Sequence, residues 1–434
     1  MVGRTSAGDA QAGRRWSRRA LLWLAFAGVL AAVTIAGSEL IASFFVPASP
    51  ARDIRPVSAA ELRATMASAL SDTPDLVPVY NDWSLRDRPR TVAWPAGVRF
   101  RSVFVGDSFL EGYFVTKPLT ERIENLWAAR GIAGHEAINF GVTATGPLQY
   151  HYRVRDVALR LAPDIVVLAL YAGNDFVAIP YRPFAVPPVV AELPLPSLVG
   201  AVAPRTDWLI VNRLGLSEIG RGSKGIAGEF ALLNDWAQRP PAERLDRTVD
   251  FMHAHYYPNL GLDRIREILS RGGGRLWDPF RPRSKDREFA AGWIFNSVID
   301  WETGTWEVPR DAADADRLAS GPMVEETLSW VLATRRLVEA QGKRFVVVLI
   351  PVGVGDPDYV EFWRLWPRYY SYNMSSTARL KRLSSLLRER DVRLVDLSDD
   401  LHGVAGSYRL TDGHWTELGT EVAARRLSRE VLPH

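Results

Sequence analysis

The sequence predicts an α/β fold: a doubly wound, parallel five-stranded sheet in three layers, with a long insertion after the third strand and a transmembrane helix at the N-terminus. Three observations point there. Short apolar runs, β-branched or aromatic, alternate with helical patterns along residues 96–434, as in a parallel sheet covered on both faces. One connection, between the third and fourth runs, is about 170 residues long, well beyond the needs of a βαβ crossover. An uncharged run at residues 20–38 follows a cluster of arginines.

In chain order, Arg14, Arg15, Arg18 and Arg19 come first, and Trp23 and Phe26 lie within the apolar run that follows. Its length suffices to cross about 30 Å of hydrocarbon as a helix. The arginines are expected to stay in the cytoplasm, which puts the rest of the chain outside it (periplasmic or extracellular) on a single-pass membrane anchor. Residues 17–22, Ser-Arg-Arg-Ala-Leu-Leu, are similar to a twin-arginine export signal, so a cleavable signal peptide is the competing reading. The run is longer than a usual signal core and no clean Ala-x-Ala site follows, which favours an uncleaved anchor over residues 1–46. Residues 47–95, with prolines from Pro47 to Pro95 and one helical patch near 59–70, read as a stalk. The folded domain is expected over 96–434.

Strands are predicted at 102–105, 136–140, 165–170, 344–350 and 393–397, and helices at 119–130, 148–161, 323–341, 378–390 and 417–431. The insertion, about 180–319, is rich in Pro, Trp and Arg, and residues 293–301 read as a hairpin. Because the insertion leaves from the strand end that should carry chemistry, it reads as a lid or substrate-selecting subdomain.

Composition narrows the function. A net charge of +3 is too small to argue for nucleic acid, and much of the excess sits at the N-terminus. The absence of cysteine excludes disulfides, thiolate zinc sites, a cysteine nucleophile and lipidation on Cys. His253 and His255 have no third metal ligand at a convincing spacing, and neither a metal nor an organic cofactor is expected. Trp363, Trp366, Tyr369 and Tyr370, after the fourth strand, fit a sugar site or core and lid packing, the second being the better reading.

Chemistry gathers at the strand ends, where open α/β sheets place their sites. After the first strand comes Gly106-Asp-Ser108, a serine hydroxyl exposed by the turn. After the second comes Gly141, where a glycine lets the backbone approach a ligand. After the third comes Asn174, a carboxamide donor. Before the last helix, Asp412-Gly-His414 offers a carboxylate and an imidazole two residues apart, able to point together if Gly413 bends the loop. Each has an ordinary alternative: Ser108 as a helix cap, Asp107 as a turn stabiliser, Asn174-Asp175 as an Asx-turn, His414 as a packing histidine.

Ser, Gly, Asn and His at four strand ends, in that order, resemble the SGNH (GDSL-like) hydrolase superfamily. The resemblance runs from about Phe100 to the C-terminus, insertion excluded, and implies a flavodoxin-like three-layer sheet. It also implies Ser108 as nucleophile, with its own N–H, the Gly141 N–H and the Asn174 side chain as oxyanion donors. His414 is then the base and later the acid, oriented by Asp412. Phe109 stands where the family has an aliphatic residue, and Asp412-x-His414 is one residue shorter than the usual Asp-x-x-His. That shorter spacing resembles membrane-anchored bacterial members handling acyl groups on polysaccharides.

The function expected is a serine esterase or deacylase acting on an O-acyl ester, an O-acetyl group first, outside the cytoplasm, on an acylated polysaccharide or glycolipid. The alternatives are an O-acetyltransferase modifying a cell-envelope or exported polysaccharide, and a non-catalytic, membrane-anchored binding or assembly protein that keeps the fold.

Overall fold

Five strands, β1 (Phe100–Gly106), β2 (His135–Gly141), β3 (Ile165–Tyr171), β4 (Arg344–Ile350) and β5 (Leu394–Asp396), form one sheet in the order β2-β1-β3-β4-β5, every pair parallel. The structure is a computed structural model. It describes residues 7–44, 80–176 (without 82, 84, 113, 114 and 144), 239–276 (without 256) and 309–432 (without 411 and 412). Residues 206, 295, 298, 299 and 301–303 are also described. The chain falls into two units, one of Met1–Ala48 with Val190–Gly222 and one of Ser49–Val189 with Ser223–His434. The first contains helix α1 (Ala7–Ser43), within which Ala20–Ala42 is long and apolar enough to cross a membrane.

In the second unit, the place of the sheet between two apolar layers explains why the strands read as unbroken apolar runs. Successive side chains point to opposite faces, and both faces are buried. Phe104, Val167 and Val348 lie in one core layer, while Val103, Val105, Leu168 and Val347 lie in the other. On the first face pack α3 (Leu119–Ala129), α5 (Pro241–His255), α6 (Leu262–Ser270), α9 (Pro357–Trp363) and α12 (Glu417–Glu430). The other face is covered by α4 (Pro147–Asp156), α8 (Pro322–Glu339) and α10 (Pro367–Arg388). Helix α2 (Ser108–Glu111) directly follows β1, α7 (Ala312–Ala319) precedes α8, and α11 (Ser398–Leu401) follows β5. The chain turns one way from β1 to β2 and the other way to β3, so a crevice opens at the carboxyl ends of β1 and β3, where such sheets bind ligands.

Four expectations are corrected. The stalk expected over 47–95 does not extend over residues 80–90, where Tyr80, Trp83, Leu85, Arg86 and Arg90 are buried against the domain; residues 47–79 lie outside the described residues. Arg90 pairs there with Asp87, Glu124 and Glu136 at 2.8, 2.8 and 3.4 Å, and Glu136 also takes the Arg101 Nε at 2.8 Å. Proline spacing could not register these long-range pairs. Of residues 293–301, read as a hairpin, the described members Phe295, Val298, Ile299 and Trp301 are helical, and the others lie outside the described residues. The burial of 295, 298, 299 and 302 follows a period near 3.6 rather than two. Finally, α10 begins at Pro367, eleven residues before the predicted start, because proline suits the first helical turn although the polar stretch after it is a weak helix former. Part of the insertion is core rather than lid, since Val249, Met252, Ile265 and Ile268 of α5 and α6 belong to the first apolar layer.

Candidate active site

Ser108 opens α2, immediately beyond the end of β1. Asp107 caps this short helix, its Oδ1 accepting the Phe109 amide at 2.9 Å, a usual role for aspartate at that position. The turn closes through Gly112 N to Ser108 O at 2.8 Å, and Gly112 takes a left-handed conformation (φ 71°) that spares a Cβ penalty. All four residues of α2 are buried, and Ser108 is only 6% exposed.

The helix is pressed onto the end of β2, and this changes the role of Gly141. Its N–H donates to Asn139 Oδ1 at 2.8 Å, and a Cβ there would lie 2.2 Å from Glu111 N. Gly141 is therefore not the oxyanion donor expected; its lack of a side chain admits the backbone of α2. Asn139 reinforces the contact by donating to Leu110 O at 2.8 Å and Arg86 O at 3.0 Å. Glu111 accepts from Tyr80 OH at 2.9 Å and from Thr143 N and Oγ1 at 2.7 and 2.8 Å. Arg86 reaches the carbonyls of Glu111 and Val115. Sequence reasoning missed Asn139, Glu111 and Arg86, because Arg86 itself, and the Tyr80 and Asp87 that bond the other two, lie in the segment read as stalk.

Asn174 follows β3, the neighbour of β1. Its Nδ2 donates to Asp107 Oδ2 at 3.1 Å, which ties the third motif to the first. Behind it the Asp175 carboxyl accepts from Tyr150 OH at 2.8 Å and Tyr171 N at 2.6 Å, fixing the strand tip. Burial pushes both Asp107 and Asp175 above the ordinary aspartate range, and for Asp175 the nearby Asp107 adds to the shift. Contacts with the Phe109 amide, His414 and Asn174 pull Asp107 the other way.

His414 Nε2 stands 2.7 Å from Ser108 Oγ, across 306 residues of chain. The loop that carries it is short and tied. Tyr408 and Trp415 form an antiparallel bridge, Arg409 N donates to His414 O at 2.7 Å, and Gly413 bends the chain at φ 73°. At its base the Asp356 carboxylate accepts the amides of Gly406 and Tyr408 at 3.1 and 2.8 Å. Phe109 stacks on the imidazole (ring centroids 4.9 Å apart, planes at 24°) and meets Trp415 edge-on at 5.0 Å. The substitution of an aromatic for the usual aliphatic thus supplies a wall for the histidine. Asp412 lies outside the described residues.

Elsewhere, Trp363 and Trp366 are buried core residues, while Tyr369 and Tyr370 are half-buried. His253 Nδ1 lies 2.9 Å from Leu260 O. Among the described residues no group of three or more His, Asp or Glu side chains is placed to hold a metal.

This site can be set beside known proteins. Residues 309–434 match the family described as SGNH hydrolase-like domain, acetyltransferase AlgX. The match covers less than a third of the chain. The matched stretch contains β4, β5 and His414, whereas Ser108, Gly141 and Asn174 lie before it. No curated protein matches the chain. Among solved structures, an acetyl xylan esterase, AlAXEase, is similar at 10% identity and a TM-score of 0.35, over 77% of this chain and 100% of its own. A lipase/acylhydrolase from Enterococcus faecalis is similar at 11% and 0.31, over 77% and 95%. A GDSL-like lipase from Bacteroides thetaiotaomicron is similar at 9% and 0.29, over 76% and 89%.

The raised carboxyl of Asp175 has a consequence for pH. Between the ordinary aspartate value near ~4 and the raised folded value, the native state holds a proton that the unfolded chain has released. Stability is then full below that ordinary value and falls as pH rises through the folded one. Asp175→Asn should flatten this slope, bringing urea midpoints at pH 5 and pH 8 closer together than in the wild type. An unchanged difference between the two midpoints would contradict the assignment.

Proposed function

We propose that the protein is a serine enzyme that cleaves an O-acyl ester through an acyl-enzyme on Ser108. The observation that carries this reading is the 2.7 Å contact between His414 Nε2 and Ser108 Oγ. That distance lies within the range a nucleophile and its base require. His414 takes the hydroxyl proton as Ser108 Oγ bonds to the ester carbon, and the carbonyl oxygen becomes an oxyanion. The Ser108 N–H, first in α2 and so without a helical acceptor, and the second N–H of the Asn174 amide serve as donors, each supplying about 3 kcal/mol. The bond to the alcohol oxygen then breaks as His414 returns its proton to that oxygen. Water, deprotonated by His414, attacks the acyl-enzyme, releases the carboxylic acid and restores Ser108.

Asp107 has a supporting part. Its carboxyl is held by the Phe109 and Asn174 donors beside the imidazole, so that in its ionised form it favours the imidazolium formed when Ser108 loses its proton. Asp412 is the proposed orienting group for His414.

A second reading, transfer of an acetyl group to a polysaccharide hydroxyl, is favoured by the match of residues 309–434 to an acetyltransferase family. It uses the same acyl-enzyme, with a sugar hydroxyl in place of water. We further propose that Ala20–Ala42 anchors the protein in the membrane with the arginines on the cytoplasmic side and the enzyme outside.

Methanesulfonyl fluoride, a small serine-directed reagent, should label full-length protein in detergent on the peptide containing Ser108. Ser108→Ala should abolish labelling and reduce hydrolysis of 4-nitrophenyl acetate by about 10³-fold or more. Labelling that persists in the variant would overturn the nucleophile. With one acetyl donor and a sugar oligomer present, free acetate as the main product supports the hydrolase, and acetylated oligomer the transferase. A reporter enzyme fused after His434 should be active outside the cytoplasm; cytoplasmic activity would reverse the orientation.

A further inference from the structure

A cleft opens beside the Ser108–His414 pair, on a side lined by neither Gly141 nor Asn174. Gly112, Val115, Trp415 and Thr420 form its walls together with Phe109, and it holds about 200 Å³, counting the part open to solvent. Pockets for drug-sized ligands enclose roughly 300–1,000 Å³; the enclosed part of this cleft is far smaller, so it suits only a small group. Its chemistry is one-sided. Among the described residues no carboxylate, lysine or arginine lines it, and the one hydroxyl in the walls, Thr420 Oγ1, donates to Thr416 O at 2.9 Å.

The walls are also fixed. Val115, Trp415 and Thr420 are each no more than 3% exposed. The Val115 carbonyl is held by Arg86, and the next amide, Thr116 N, donates to Glu417 Oε1 at 2.6 Å. Glu417 in turn pairs with Arg122 of α3. The loop is therefore pinned to the segment behind the nucleophile and to the first turn of α12, which also carries Thr420. Enlarging the cleft means breaking these bonds.

We propose that this cleft is the acyl-group subsite and that Val115, with Thr420 also in its wall, sets an upper limit on acyl length, selecting acetyl over longer chains. The inference rests on Ser108 being the nucleophile. An ester at Ser108 has two ends to place. A sugar alcohol brings several hydroxyls that need partners and more bulk than so small a cleft admits. The methyl of an acetyl group needs only apolar walls.

The test is a chain-length series on the full-length protein in detergent: 4-nitrophenyl acetate, butyrate and octanoate, with kcat/KM for each. A methylene that a pocket cannot accept costs about 10- to 200-fold. The wild type should therefore fall at least about 10-fold from acetate to octanoate, and Val115→Ala should raise the butyrate-to-acetate ratio by about 10-fold. The wild-type profile needs no variant, so a variant that fails to fold leaves the proposal open to refutation. A flat profile with methanesulfonyl labelling of Ser108 intact overturns the subsite alone. An unchanged ratio in folded Val115→Ala overturns the role of Val115. No hydrolysis of any of the three esters, together with no labelling, overturns the nucleophile and the subsite with it.

Discussion

The contact on which the site depends is the close approach of a four-residue helix to the end of the neighbouring strand. Where α2 crosses β2, a side chain at Gly141 would overlap the Glu111 backbone, and Asn139 bonds both Gly141 and Leu110. A serine at the start of so short a helix has little intrinsic stability to hold it, since helix nucleation is unfavourable. Its geometry comes from outside: Asp107 caps it, Asn139 ties it down, and Glu111 fastens its far end to Tyr80 and Thr143.

That arrangement explains why residues 80–90 belong to the domain. Arg86, Asp87 and Arg90 are buried charges, which are costly unless each group is paired. Asp87 accepts the Asn139 amide at 2.9 Å and two Arg90 nitrogens at 2.8 and 3.0 Å. The same buried network therefore orders the residue that positions Gly141 and the guanidinium that caps α2. Function at the carboxyl edge of the sheet is linked through these bonds to packing on its outer flank.

Much of the fold was legible because its signal is local. The five strands are apolar runs with both faces covered, and their helices carry a 3.6-residue pattern; such features survive without knowledge of partners. Ser108, Asn174 and His414 were singled out by their order along the sheet, and the structure places His414 against Ser108 and joins Asn174 to Asp107. What escaped depends on distant partners. Gly141 carries a backbone role that the same glycine signals for a ligand, and only the position of Glu111 separates the two. The wall that Phe109 gives His414 depends on a ring 305 residues away in sequence. The helical segment containing Phe295 and Ile299 was misread because a short apolar run fits either period until its burial is known.

The central claim is that an acyl group resides on Ser108 during turnover, and trapping that species tests it most directly. Full-length protein mixed with 4-nitrophenyl acetate, quenched in acid within one turnover and mapped by mass spectrometry, should carry one acetyl group on the peptide containing Ser108. Acetyl found on another residue, or hydrolysis with no acetylated peptide while His414→Ala hydrolyses the ester as fast as the wild type, would contradict the account.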